Sequence, residues 1–204
     1  MHGLYIIAGP NGAGKSTAGA DLLPQSIRES YIPFDGDKLK MMKQKEFRSK
    51  TVSYKEAGRL ADHYVHEEFD KQYKRALLAK DHFVYEGHFS DEASWNLIRR
   101  FRDAGYFIDM IFLGLVSLQL SSDRVFNRAI RGGHNVPPLD IEKNYFGNLI
   151  MINKYIDLID QLTLLDASGN KPLYIGQWYN GKMHFNVTAE SIPTWVSSYF
   201  KHLI

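Results

Sequence analysis

The chain contains no cysteine. Disulfides, thiolate metal sites and cysteine nucleophiles are therefore excluded. It has no charge excess either: 25 lysines and arginines stand against 23 aspartates and glutamates, a balance that disfavours nucleic acid as the main partner. No apolar run approaches the roughly 20 residues that cross a bilayer. The first apolar stretch begins almost at residue 1 with no charged leader, the pattern expected of a cytoplasmic protein. Internal repeats and low-complexity segments are absent. What remains is 204 residues, 44% hydrophobic and 13% aromatic, enough to bury one sizeable core. A single domain over residues 1–204 is expected.

The densest motif lies at the start. Leu4-Tyr5-Ile6-Ile7-Ala8 runs straight into Gly9-Pro10-Asn11-Gly12-Ala13-Gly14-Lys15-Ser16-Thr17. Gly9, Gly14, Lys15 and Ser16 meet the GxxxxGK[ST] spacing of a phosphate-binding loop. Glycines let the backbone wrap round a phosphate with its N–H groups pointing inward. Lys15 would reach the β- and γ-phosphates, and the Ser16 hydroxyl would take one position on Mg²⁺. A glycine-rich turn could simply join a strand to a helix. Yet the four fixed positions would co-occur by chance in only about one chain in a hundred of this length, and the flanking strand and helix are the context the motif needs. The expected ligand is ATP or GTP with Mg²⁺, held by residues 9–17.

Beyond the loop the chain alternates strand and helix patterns. Residues 30–37 form a short extended run closing on Asp35 and Asp37. Lys38 to Lys50 is basic, with Lys38, Lys40, Lys43, Lys45, Arg48 and Lys50 against Glu46. Such a run is either a solvated helix face or an attraction for a phosphorylated acceptor or a nucleic-acid end. Apolar residues at three- and four-residue steps predict a helix over 53–80. A strand over 82–86 ends on Glu86. Asp91 caps a helix to Ala104, Gly105 ends it, and 106–115 is the most continuously apolar strand. Ser117 or Ser121 opens the next helix, Pro137-Pro138 breaks the chain, and 139–158 resumes as helix. A fifth short strand spans 162–165. Asn180-Gly181 marks a hairpin between 173–179 and 182–187, followed by an amphipathic helix over 192–203. The pattern predicts an α/β three-layer sandwich with a mainly parallel five-stranded sheet and a C-terminal hairpin plus helix. That hairpin either extends the sheet edge or offers a contact surface. Ligands in such sheets sit at the carboxyl ends of the strands, so Asp35, Asp37, the segment Glu86 to Ser90, Ser117 and Asp166 to Ser168 should ring one crevice with Lys15.

These residues carry a resemblance. The phosphate loop, Phe34-Asp35-Gly36-Asp37, Ala57-Gly58-Arg59, Glu86, Arg124-Val125-Phe126-Asn127-Arg128, Arg131-Gly132-Gly133-His134-Asn135-Val136-Pro137 and Asp166-Ala167-Ser168 together resemble the zeta-toxin family of P-loop kinases over residues 4–169. The branch it looks closest to is often labelled predicted ABC-type ATPase, although no LSGGQ-like signature is present. The resemblance implies a kinase-like fold and transfer of a γ-phosphate from Mg-ATP or Mg-GTP to a hydroxyl of a small acceptor. In the best understood members that acceptor is a UDP-N-acetyl sugar, and a small antitoxin protein is often a partner.

Asp37 matches the family's catalytic aspartate, which activates the acceptor hydroxyl; by position alone it could equally cap the helix opening at Lys38. Asp35 is expected to be structural. Arg124, Arg128 and Arg131 stand at i, i+4 and i+7 on one helix face. Three like charges repel unless an anion lies between them, which favours a lid over about 124–140, with Arg128 and Arg131 on phosphate and Arg124 against the nucleobase. The alternative is a solvated face with Asp123 as counter-charge. Gly132 and Gly133 would hinge the lid or simply end the helix. Glu86, His88 and Ser90 are expected on the acceptor side, where the family's acid-Thr-Thr-Leu-Ser appears as Glu86-Gly87-His88-Phe89-Ser90. Lys143-Asn144 replaces an arginine pair common before the tyrosine matching Tyr145. His88 and His134 are isolated, so no metal beyond Mg²⁺ is assigned. Two other readings stay open: a nucleotide-dependent switch acting on a partner protein and, less favoured by charge, a polynucleotide kinase.

Overall fold

A computed structural model describes residues 2–50, 53–131, 133 and 136–203. Strand β1 (Gly3–Ala8) lies in mid-sheet, and its Leu4, Ile6, Ile7 and Ala8 have no exposed surface. Successive side chains on a strand point to opposite faces, so both faces are covered here. The unbroken apolar run is what that burial demands. After β1 come the phosphate loop, two short helical turns at Lys15–Gly19 and Ala20–Leu22, then α1 (Gln25–Ser30), β2 (Phe34–Asp35), α2 (Gly36–Arg48), α3 (Tyr54–Ala79), β3 (Phe83–Gly87), α4 (Glu92–Asp103) and β4 (Phe107–Gly114). The remainder is α5 (Leu118–Ile130), α6 (Pro138–Lys154), β5 (Gln161–Asp166), β6 (Leu173–Tyr179), β7 (Lys182–Phe185) and α7 (Thr194–Tyr199).

The strands form one sheet in the order β2-β3-β1-β4-β5-β6-β7. The first five are parallel, as the alternating pattern predicts. The hairpin β6–β7 adds to the β5 edge antiparallel and brings the count to seven rather than five. Asn180 and Gly181 both have positive φ, 53° and 74°, the backbone that a tight two-residue hairpin turn requires. Because β1 lies between β3 and β4, the chain leaves it towards one side and later returns to the other. That switch point opens a crevice at the carboxyl end of β1.

Local signals place the helices. Asp91 caps α4 by accepting the N–H of Ser94 (3.2 Å), and Gly105 follows it at φ 80°. Ser117 rather than Ser121 opens α5, accepting the N–H of Leu120 (3.1 Å). Strand β2 is only two residues long, shorter than the extended run expected over 30–37. Asp35 stops it by accepting the N–H of Lys38 (2.9 Å), which starts α2 at once. One hydrophobic core runs from Leu4 to Phe200, and a smaller cluster of Val125, Val136 and Ile141 ties α5 to α6. Among the described residues no helix is long and apolar enough to cross a membrane.

Candidate nucleotide and phosphoryl-transfer site

The loop from Gly9 to Thr17 starts where β1 ends. At Gly9 φ is 154°, and a Cβ there would stand 2.5 Å from the Leu113 carbonyl oxygen. At Gly12 φ is 74°, and a Cβ would stand 2.9 Å from that of Arg124. Both positions therefore demand glycine. Lys15 curls back over the loop, its Nζ donating to the carbonyls of Gly9 (2.9 Å) and Pro10 (3.1 Å). Burial lowers its pKa to about 8, although Glu86, Asp37 and Asp35 pull the other way and Arg128 adds to the lowering. A cation held at the cost of desolvation, with no direct carboxylate partner among the described residues, gains most from an anion brought to it.

Three carboxylates gather beside it. The Ser16 hydroxyl lies 2.5 Å from Glu86 Oε1 and 3.0 Å from Asp35 Oδ2. Burial raises the pKa of Glu86; the Ser16 hydrogen bond opposes this, nearby Asp35 adds to it, Lys15 opposes it and Asp37 adds to it. The proximity of Asp35 follows from strand register, since it is paired with Glu86 across β2 and β3. Asp35 thus has two tasks, capping α2 and facing Ser16 in the crevice where its place after β2 puts it. One hydroxyl and two carboxylates make an all-oxygen donor set suited to a hard divalent cation. Mg²⁺ commonly takes one or two carboxylates and fills its other positions with water and phosphate oxygens. Asp37, in the first turn of α2, joins Asp35, Glu86, His88, Lys15, Ser16 and Thr17 in lining one cavity of about 430 Å³. It does not cap the helix; Asp35 does.

Helix α5 forms the opposite wall. Arg124 and Arg128 line the cavity, while exposed Arg131 lines an adjoining groove of about 500 Å³ shared with Met41 of α2. The helix is anchored rather than free. Ser121 and Val125 are buried, and the Ser121 hydroxyl donates to the Asn11 carbonyl (2.7 Å). Arg124 Nη1 donates to the carbonyls of Gly12 (3.3 Å) and Ala167 (2.7 Å), and Nη2 to those of Ser168 (2.7 Å) and Gly169 (3.3 Å). These bonds use the edge of the guanidinium, whereas stacking on a nucleobase would use its face. The backbone of Gly133 donates to the Arg128 carbonyl (2.9 Å), closing the end of α5. Gly132 and His134 lie outside the described residues.

On the acceptor side the expected residues diverge. His88 lines the cavity with Nε2 3.4 Å from Asn11 Nδ2, and burial, reinforced by Lys15, holds its pKa well below the usual histidine value. Ser90 is not among the residues lining the cavity. Its hydroxyl donates to Asn144 Oδ1 (2.8 Å), and its backbone packs on Gly147 of α6. Lys143 turns outward to Asp91 (2.8 Å). Lys38 and Met41 also line the cavity, and nothing in the sequence pattern separated them from the rest of the basic run.

Fold and loop together define a protein of the P-loop kinase-like class. The Zeta toxin family model matches residues 3–174, and the chain belongs to that family. Among solved structures it is similar to a chain of the AvrRxo1-ORF1:AvrRxo1-ORF2 complex. For the crystal with ATP the identity is 12%, the TM-score 0.69 and the coverage 100% of this chain and 63% of that one. For the crystal with sulphate ions the identity is 14%, the TM-score 0.69 and the coverage 93% and 62%. This chain thus spans less than two thirds of the length of the chain it matches in those crystals. It is also similar to a structure of the PezAT chromosomal toxin–antitoxin system of Streptococcus pneumoniae, at 10% identity and TM-score 0.62, covering 100% of this chain and 85% of that one. No curated protein matches the sequence.

Proposed function

We propose that the protein is a Mg²⁺-dependent phosphotransferase of zeta-toxin type that moves the γ-phosphate of ATP or GTP to a hydroxyl of a small acceptor. The observation that carries this reading is the sharing of one cavity by the phosphate loop, Asp37 and Arg128. The loop backbone cradles the phosphates, Lys15 pairs with the β- and γ-phosphates, and Ser16, Asp35 and Glu86 hold Mg²⁺. Bound there, the cation neutralises charge on the phosphate oxygens. Asp37 accepts the acceptor's proton, for phosphoryl transfer needs a positioned base and little other covalent help. Arg128, with Arg131 from the neighbouring groove, balances the charge that develops during transfer, and Arg124 lies against the base. A UDP-N-acetyl sugar is the first acceptor to test. The neighbouring AvrRxo1 and PezAT structures, described as two-protein systems, support a small antitoxin as partner.

The test uses labelled Mg-ATP and Mg-GTP with UDP-sugars, free sugars, nucleosides and 5′-hydroxyl oligonucleotides. Label should enter one acceptor, and Asp37→Asn should slow transfer by about 10²- to 10⁴-fold with nucleotide affinity kept. Phosphate release that needs no acceptor and survives Asp37→Asn would replace the kinase with a nucleotide-driven switch.

A further inference from the structure

Helix α6 presents an unusual face towards the phosphate loop. Asn144, Gly147 and Asn148 stand at i, i+3 and i+4, one side of a helix, among buried Ile141, Tyr145, Leu149 and Ile152. Asn144 Nδ2 donates to Asn11 Oδ1 (2.9 Å), and its Oδ1 accepts from the Ser90 hydroxyl (2.8 Å). Asn148 has no exposed surface; its Oδ1 accepts the N–H of Phe89 (2.8 Å), and its Nδ2 donates to the Asn144 carbonyl. Gly147 permits the approach, since a Cβ there would stand 2.5 Å from the Ser90 carbonyl oxygen. Residue 11 is consequently gripped by α6, by His88 and by Ser121 of α5.

A partly buried polar network of this kind adds little net stability over apolar packing of the same shape, because its groups were hydrogen-bonded to water before folding. What it fixes is geometry. The geometry at stake is that of Gly9 and Pro10, whose carbonyls hold Lys15 and which directly precede Asn11. The other end of the network is the segment 88–90, which follows Glu86 out of β3. We propose that Asn144 is a positioning residue: from α6 it locks the Asn11 corner of the phosphate loop to the segment after β3. Donor and acceptor walls of the cleft then keep one relative arrangement. The proposal rests on the reading of that cleft as a nucleotide site.

The test compares the full wild-type chain with Asn11→Ala, Asn144→Ala, the double variant and Asn144→Leu. Leucine keeps the volume but offers no hydrogen bond. Calorimetry gives the Mg-ADP affinity, thermal melting checks the fold, and the ³¹P signals of bound ATP report phosphate geometry. Each alanine should weaken binding by about tenfold, and the double variant by no more than about tenfold, because both remove one shared link. Asn144→Leu, which leaves Asn11 Oδ1 and the Ser90 hydroxyl without this partner, should melt somewhat below the wild type yet stay folded at the assay temperature, bind as weakly as the alanine variant and shift the bound γ-phosphate signal. That last readout would not move if the residue merely supported the fold. Losses that multiply in the double variant, or Asn144→Leu protein with wild-type affinity and phosphate signals, overturn the proposal alone. A wild-type chain that binds no nucleotide overturns the reading of the cleft and this proposal with it.

Discussion

Asp109, on the central strand β4, is a carboxylate held where its charge is poorly served. It is 5% exposed, its Oδ1 has no hydrogen-bond partner among the described residues, and its Oδ2 receives one long bond from Gln161 (3.3 Å). Burial raises its pKa to about 6, with the Gln161 bond opposing. In the unfolded chain an aspartate titrates near pH 4. Between those values the folded state binds more protons, so this group makes stability fall as pH rises from about 4 to about 6, and the loss persists above. At 1.36 kcal/mol per pKa unit the penalty is at most about 3 kcal/mol. Asp109→Asn keeps an acceptor for Gln161 and removes the charge. It should therefore gain about 1–2 kcal/mol at pH 7 and nothing below pH 4, read from denaturant melts at both pH values. Equal gains at both would show that charge is not the cause. Residues of the cleft differ in how far they can be read before folding. Lys15, Ser16, Asp37 and Glu86 follow from a motif and from the rule that ligands sit at strand ends. The same rule puts Asp35 in the cleft, but its hydrogen bond to Ser16 depends on the β2–β3 register; the Ser90 hydroxyl turns to Asn144 because Gly147, 57 residues on, lets α6 come close.

At the level of elements, α5 works as a bolt between two loops. Its Arg124 joins the carbonyl of Gly12 to those of Ala167, Ser168 and Gly169, across 43 to 45 residues on one side and 112 on the other. Lysine would keep the charge but lose the planar fork that serves several acceptors at once. Arg124→Lys should hence free both loops: hydrogen exchange should quicken over 9–14 and 166–170, and nucleotide affinity should fall by about tenfold. Unchanged exchange in both loops would mean that the bolt is dispensable. The sequence shows a stripe of arginines on this helix, and like charges in a row do suggest an anion. It cannot show that one of them is already spent on carbonyls, because those carbonyls belong to loops brought near only by the sheet. Element ends are legible where one cap marks them, as Asp91, Gly105 and Asn180-Gly181 do, and only to within a turn where two serines compete, as at Ser117 and Ser121. They are not legible at α7, where periodicity over 192–203 predicts one helix and the chain instead makes Thr194–Tyr199 and a separate turn at Lys201–Leu203.

For the molecule as a whole, the segment beyond the family match is part of the fold. Strand β6 pairs with β5 from Gln161 to Asp166, and Ile175, Trp178, Trp195, Val196 and Phe200 are buried in the same core as β1. Trp195 lies so close over Gly114 that a Cβ there would stand 2.3 Å from its ring, and the ring meets Phe112 at 5.6 Å. One residue before Gly114, the carbonyl of Leu113 is what Gly9 must be glycine to approach. The C-terminal helix and the phosphate loop thus both pack against the end of β4, at adjacent residues. Trp195→Ala should cost about 3–5 kcal/mol through lost burial and an unfilled cavity. It should weaken nucleotide binding as well, since the strand end that seats Gly9 loses its backing. Trp195→Phe should be milder, at roughly 1–2 kcal/mol, because the indole N–H has no partner among the described residues to lose. Melting temperature and nucleotide affinity measured on both variants separate the outcomes. If Trp195→Ala lowers stability yet binds nucleotide like the wild type at a temperature where it is folded, the loop is seated by β1 and α5 alone, and the terminal helix serves the core without serving the site.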